Sequence, residues 1–441
     1  MFYKLPFYKN MDKGVLKQII LDNRVEVERY EVFLRNVDMS SFPCYVLVGL
    51  RRAGKSFMLY QRMQQLLREG HTWDEMLYVN FEDDRLEEFK SSDFNFILEC
   101  FAELSDKRPM LFLDEMQNVE GWEKFARRLA DNKYNVYITG SNAKMLSREV
   151  MTTLGGRYLP VEVYPFSFKE YLDVSDQKYD ENSLLQTDTK AKFMRLYNEY
   201  LHWGGLPESV GLPVKRNYVS STFQKVYLGD ICARNGISNP NLLRLMIKKI
   251  AESVKQPLSY NRISRILSTV GGKISVPTVG SYVQYCQDAW LLVRMHNIAS
   301  PFVEKGTISK YYFIDNGILN LFLIDADTSL LENLVAVTLL RMYGNDPDNE
   351  RVFYYNSGVE VDFYVPEEAL AIQVCYSLSH SDDTYEREVA ALKKLPSVLE
   401  CRRRLIVTFD EEASIEDDYG KIEILPYWKW AVACWEHPVK E

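Results

Sequence analysis

The run GLRRAGKS, Gly49 to Ser56, narrows the folds open to this chain more than any other stretch. It matches G-x-x-x-x-G-K-[ST], follows the apolar run CYVLV and precedes the helix-like FMLYQRMQQLLREG. Strand, glycine loop and helix in that order make a phosphate cradle. Gly49 and Gly54 let the backbone turn tightly, so that the amides of Leu50, Arg51, Arg52 and Ala53 point inward. The following helix N-terminus adds potential for anionic oxygens. In such a loop Lys55 reaches the β/γ-phosphates and Ser56 ligates Mg²⁺. ATP with Mg²⁺ is therefore the expected ligand.

A second run, MLFLDE, predicts a strand ending at Asp114, with Glu115 just beyond. In a parallel sheet beside the loop, Asp114 would hold Mg²⁺ through water and Glu115 would act as general base on the attacking water. The strand NVYITGS ends near Ser141 and Asn142; either is placed to bond the γ-phosphate or orient the water. Arg157, in LGGRYLPVEV, has two readings: an arginine finger, or a surface ion pair.

Five short apolar runs (CYVLVGL, MLYVNF at 76–81, MLFLDE, NVYITGS and YLPVEVYP at 158–165) alternate with helical stretches, which predicts a parallel sheet flanked by helices. Residues 15–37 read as a helix. The polar stretch after Tyr171 reads as a loop, 193–235 as helical with a break at HWGGLP, and 241–300 as three helices. From Lys310 short strands return around helices at 329–343 and 382–395. The 53 basic and 62 acidic residues give a net charge of −9, so nucleic-acid binding would need a local basic patch. No run approaches the ~18 apolar residues of a membrane helix. The start MFYKLPFYKN has no signal-peptide core, and seven scattered cysteines without a CxxC pair fit reduced thiols in the cytoplasm.

GLRRAGKS, LFLDEMQNVEGWEKF, ITGSNAKML, GGRYLPVEVYPFSFKEYL and HWGGLPE, in this order, resemble a family of prokaryotic AAA-type ATPases. These carry a C-terminal domain of unknown function that joins a winged-helix segment to a degenerate restriction-endonuclease-like fold. The resemblance implies an N-terminal helical segment (1–40), an AAA-type core (41–172), a helical lid and linker (173–240), a winged-helix-like segment (241–300) and a nuclease-like α/β domain (301–441). Asp114 and Glu115 match the family's acidic motif, Asn142 its sensor position and Arg157 its GGRY motif. Gln117 and the Gly204-Gly205 pair also match, without assigned chemistry; the glycines suit a lid turn.

Residues 241–300 carry eight Lys and Arg against Glu252 and Asp288. That suits a winged helix contacting DNA phosphates, with a nearly uncharged third helix (277–292); a basic lid against an acidic neighbour is the alternative. In the last unit Glu332 and Asp362 fit the acids of a nuclease site. Gln373 and Cys375 replace its E-x-K acid and lysine, so the expectation is an inactive fold kept for binding or assembly.

The sequence thus points to a cytoplasmic Mg²⁺-dependent ATPase that couples hydrolysis to conformational change. DNA, a protein partner and self-assembly all stay open. A nucleotide switch without turnover is the rival, and an ATP-regulated nuclease a third reading.

Overall fold

The computed structural model describes residues 11–176, 182–270, 272–301, 307–345, 350–378 and 383–436. The expectations for the first ten residues, for 177–181 inside the polar loop and for the start of the helix at 382 therefore lie outside the described residues. The chain forms two compact units: residues up to Gly49 with Gly54–Val163, and Leu50–Ala53 with the residues from Tyr164 onward.

The first unit is an α/β layer around five parallel strands: β1 Cys44–Val48, β2 Met76–Asn80, β3 Met110–Asp114, β4 Val136–Gly140 and β5 Leu159–Glu162. Their order is β2-β3-β4-β1-β5. Every residue of β1 and β4 is buried, as expected of apolar runs covered on both faces. The C-terminal ends of β1, β3 and β4 therefore lie side by side, which brings the glycine loop, the acidic pair and the ITGS turn to one edge.

The first helix is shorter than expected. It runs Lys13–Arg29, capped by Asp12, and the chain then turns extended at Tyr30. Two glutamines of the helix Lys55–Arg68 account for the stop. Gln61 donates to the Arg35 carbonyl at 2.8 Å and accepts from its amide at 2.9 Å, while Gln64 donates to the carbonyls of Val27 and Tyr30. These bonds satisfy the backbone that a longer helix would have paired internally.

The second unit opens with the helices Phe168–Val174 and Thr187–Trp203. The break at HWGGLP is built around Asp315, whose carboxylate accepts from the amides of Gly205 and Gly317 at 2.9 Å each. A Cβ on Gly204, which sits at φ 68°, would lie 2.2 Å from that carboxylate, and one on Gly205 would lie 2.1 Å from the Phe166 carbonyl. The glycine pair thus makes room for a buried acid.

Three helices follow as expected: Pro240–Ala251, Tyr260–Val270 and Val276–Asp288. With them goes an antiparallel sheet of β6 Leu258–Ser259, β7 Leu292–Met295 and β8 Ile308–Phe313, in the order β6-β8-β7. The sequence-based boundary at 300 falls between β7 and β8, which pair residue for residue from Leu292–Phe313 to Met295–Lys310. KYYFID is therefore part of this small sheet, not the first strand of the last one.

The last sheet has six strands: β9 Phe353–Asn356, β10 Glu360–Val365, β11 Leu370–Val374, β12 Arg403–Thr408, β13 Ala413–Asp417 and β14 Gly420–Pro426. They run in the order β13-β14-β12-β11-β10-β9, with β11, β12 and β14 parallel. The hairpin β13–β14 was not expected, because its first strand is polar and half exposed at the sheet edge. In the helix Asp327–Tyr343 every residue from Leu330 to Leu340 is buried.

Candidate functional site

The loop 49–56 leaves β1 and enters the helix Lys55–Arg68 through Gly54, which sits in the left-handed region at φ 98°. A Cβ on Gly49 would lie 2.0 Å from the Val163 carbonyl, so only glycine fits there. Lys55 is buried, with Nζ 3.1 Å from the Gly49 carbonyl and 3.7 Å from Glu115 Oε1. Arg51 and Arg52 turn their side chains elsewhere. Arg51 makes a two-pronged pair with Asp230 (2.8 and 3.1 Å), and Arg52 lies 3.5 Å from Glu208. What these two positions and Leu50 and Ala53 offer a phosphate is backbone.

Asp114 is fully buried at the end of β3. Its carboxylate accepts from Tyr78 Oη at 2.9 Å, from Thr139 Oγ1 and from the Ser56 hydroxyl. Burial, and next the charge of Glu115, push it up to about 6. Glu115 adopts a left-handed φ of 52°, held by its amide donating to Thr139 Oγ1 at 2.9 Å. Gln117 Nε2 donates to the Glu115 carboxylate and to Ser141 Oγ, the latter at 3.3 Å. Thr139 and Tyr78 were missed in the sequence. The signal for Thr139 was present: counted from strand ends, it stands level with Asp114 on the neighbouring strand. Nothing in the sequence marked Tyr78.

Asn142 is buried, and its side chain caps a short helical turn by accepting from the Lys144 amide at 2.9 Å. Of its two readings, Arg157 shows the ion pair. It precedes β5, whose Leu159 pairs with Tyr45 near the start of β1. At ~3.3 Å per residue, about 20 Å of strand rise separates it from Gly49. Its guanidinium pairs with Asp131 at 2.5 Å and donates to the carbonyls of Leu154 and Gly155. Within its own chain it forms a surface ion pair and lies away from the loop end of the sheet.

The oxygens of Ser56 and Asp114, adjoining a glycine cradle that a Cβ would fill, suit a hard cation with a phosphate chain.

In the last domain Glu332 and Asp362 do come together, but around a group the sequence reading overlooked. Lys310 Nζ, on β8, lies 3.1 Å from Asp362, 3.4 Å from Glu332 and 3.6 Å from Glu360. Gln373 accepts from the Asp362 amide at 3.1 Å and donates to Glu388, a second overlooked residue. Burial, then Glu388, pushes the Cys375 thiol up to about 11, so it is neutral near pH 7.

Residues 41–172 match the model of an AAA domain, and 194–329 match a domain of unknown function. An uncharacterized protein of Methanocaldococcus jannaschii is 31% identical over 438 residues, covering 96% of each chain. The chain belongs to the family of that archaeal protein. A Haemophilus influenzae relative is also 31% identical, over 78% of this chain and 84% of its own. Among solved structures, a Walker-type ATPase of Pyrococcus abyssi is 14% identical, covering 71% of this chain and 96% of that one with a TM-score of 0.41. At that level the likeness carries no inference. The AAA domain holds the P-loop and both acidic residues, and among the described residues no helix is long and apolar enough to cross a membrane.

Proposed function

We propose that this chain is a Mg²⁺-dependent ATPase of the AAA type, acting in the cytoplasm. The observation that carries the reading is the meeting of Lys55, Ser56, Asp114 and Glu115 at the mouth of a loop that only glycine can form. Lys55 would neutralise the β/γ-phosphates, and the amides of 50–56 would hold their oxygens. Bound Mg²⁺ supplies charge neutralisation at the phosphates, with Ser56 and Asp114 as its protein holders. Glu115 would take the proton of the attacking water, its carboxylate positioned by Gln117.

The test is a pair of variants. Lys55→Ala is expected to lose nucleotide binding. Glu115→Gln is expected to keep binding and lose turnover by about 10²–10⁴-fold. Unchanged phosphate release in both would refute the assignment.

One observation favours a nucleotide switch as the second reading. Glu115 is tied to Gln117 and lies 3.7 Å from Lys55, so its carboxylate is already engaged. Phosphate release measured over hours separates the two: a switch binds ATP tightly and releases none.

The described residues of 240–313 run helix, strand, helix, helix, strand, strand, with the last strand central, an order that supports a winged-helix reading. Arg244, Lys248, Arg262, Arg265 and Lys273 are exposed there. They support a reading in which DNA phosphates are contacted without base selection. ATPase stimulation by DNA that disappears at high salt would support it; stimulation by a protein alone would point to a protein partner instead. The last domain we read as nuclease-like and non-cleaving, since Gln373 brings no charge and Cys375 stays neutral. DNA cleavage with Mg²⁺ or Mn²⁺ that Asp362→Ala abolishes would overturn this.

A further inference from the structure

A cavity of about 640 Å³ opens in the second unit, lined among others by Lys255, Glu332, Asp362, Gln373, Arg387 and Glu388. Behind it Lys310 is wholly buried. Its ammonium is the only cationic group among the described residues within 4 Å of Glu332 or Asp362. The two carboxyl side chains are themselves 4% and 11% exposed, so water does little to screen them from one another. Two buried carboxylates this close need a cation between them, or one of them must hold a proton.

Each oxygen of Asp362 is already used: Oδ1 accepts from Lys310, and Oδ2 accepts from the Val374 amide at 3.0 Å. Glu332 Oε1 accepts from Tyr312 Oη at 2.8 Å and from Lys310 at 3.4 Å. An ammonium has three donors and no acceptor, and three carboxylates surround this one at 3.1 to 3.6 Å. A divalent ion would draw the same oxygens to ~2.0–2.6 Å, into the space that Nζ fills.

We propose that Lys310 is the resident cation of this pocket, an ammonium built into the fold that occupies the cation position between Glu332 and Asp362 and keeps divalent ions out. The inference rests on the Lys310 geometry and holds whether or not the domain descends from a nuclease. It also adds a reason for inactivity independent of Gln373 and Cys375. A catalytic metal would have no room.

The probe is Mn²⁺, added to the full-length, nucleotide-free chain. Wild-type protein is expected to show no Mn²⁺ binding that Asp362→Asn removes. Lys310→Ala should lower the melting temperature by about 5 °C or more, and should bind close to one Mn²⁺ at least tenfold more tightly than wild type does, with the melting temperature recovering as the ion binds. Adding Glu332→Gln and Asp362→Asn to Lys310→Ala should restore the melting temperature without metal and abolish the new binding. Mn²⁺ bound by the wild-type pocket, or a folded Lys310→Ala chain that gains none, overturns the proposal. If Lys310→Ala does not fold, the triple variant decides. Its recovery supports the resident cation, and its failure to fold overturns it. Because nucleotide is absent throughout, the outcome is independent of the ATPase reading.

Discussion

Two buried lysines, Lys55 and Lys310, each lie among carboxylates, and their surroundings are built to opposite ends. In the first unit Lys55 lies 3.7 Å from Glu115 and donates to a backbone carbonyl, while Asp114 is satisfied by the hydroxyls of Tyr78, Thr139 and Ser56. In the second unit Lys310 lies within 3.6 Å of three carboxylates. At the loop the acid is held by neutral donors that can exchange partners. In the pocket the acids are held by a charge that cannot leave. A site meant to receive a cation and an anion keeps its own charges loosely matched; a closed one matches them internally.

The widest separation between the two should come from removing the lysines. Lys310→Met leaves buried carboxylates without their cation and is expected to cost about 3–5 kcal/mol of stability, read by urea unfolding. Lys55→Met removes the 3.7 Å pair with Glu115 and the hydrogen bond to the Gly49 carbonyl but leaves fewer carboxylates without a cation, and should cost less, about 1–3 kcal/mol in nucleotide-free protein. Equal losses would dissolve the distinction.

Asp114 gives the next largest effect, and its sign is unusual for a residue assigned to a metal site. Burial raises it from the ordinary 3.8 to about 6, so the folded chain holds this proton more tightly than the unfolded chain does. Its contribution is fully present below pH ~3.8, is lost as pH rises through about 6, and its ionisation then costs stability at neutral pH. At ~1.36 kcal/mol per pH unit the ceiling is about 3 kcal/mol. Asn at 114 can still accept from Thr139, and the hydroxyls of Tyr78 and Ser56 can turn to accept from its amide. Asp114→Asn should therefore stabilise the nucleotide-free chain by up to about 3 kcal/mol at pH 7 and by almost nothing at pH 4. Its Mg²⁺-dependent hydrolysis should fall in the same preparation. A variant destabilised at pH 7 would show that Asp114 is held by more than its neighbours.

The same comparison explains what the sequence could reveal. Lys55, Ser56, Asp114 and Glu115 were legible because local chain order places them: a loop between strand and helix, and an acid at a strand end. The strands of the first sheet were legible for the same reason: β1 to β4 are short apolar runs buried almost throughout, and β5, at the sheet edge, is a partly exposed one. Lys310 was not legible. It lies on β8 of one sheet and meets Asp362 on β10 of another and Glu332 on a helix between them in sequence, and no spacing rule joins those three. Asp315 was hidden likewise, and only the glycine pair it packs against was visible. Arg157 was left with two readings for another reason. Its place in the sequence, just before a core strand, was read correctly, but the start of a parallel strand lies at the end of the sheet away from the loop.

Arg157 yields the smallest expected effect, and that smallness is informative. Its side chain is about a third exposed and its pair with Asp131 is on the surface, so Arg157→Ala should change stability by no more than about 0.5 kcal/mol. With the Arg157 backbone about 20 Å of strand rise from Gly49, hydrolysis at concentrations where the chain is monomeric should be unchanged. The same variant measured across a hundredfold range of protein concentration separates two cases. If wild-type turnover rises with concentration and the variant's does not, Arg157 reaches the triphosphate of a neighbouring copy, and the charge of an exposed pair has a catalytic use. If both stay flat, Arg157 does no more than anchor the turn before β5, and stabilisation of the transferred phosphoryl group falls to Lys55 and the loop amides alone.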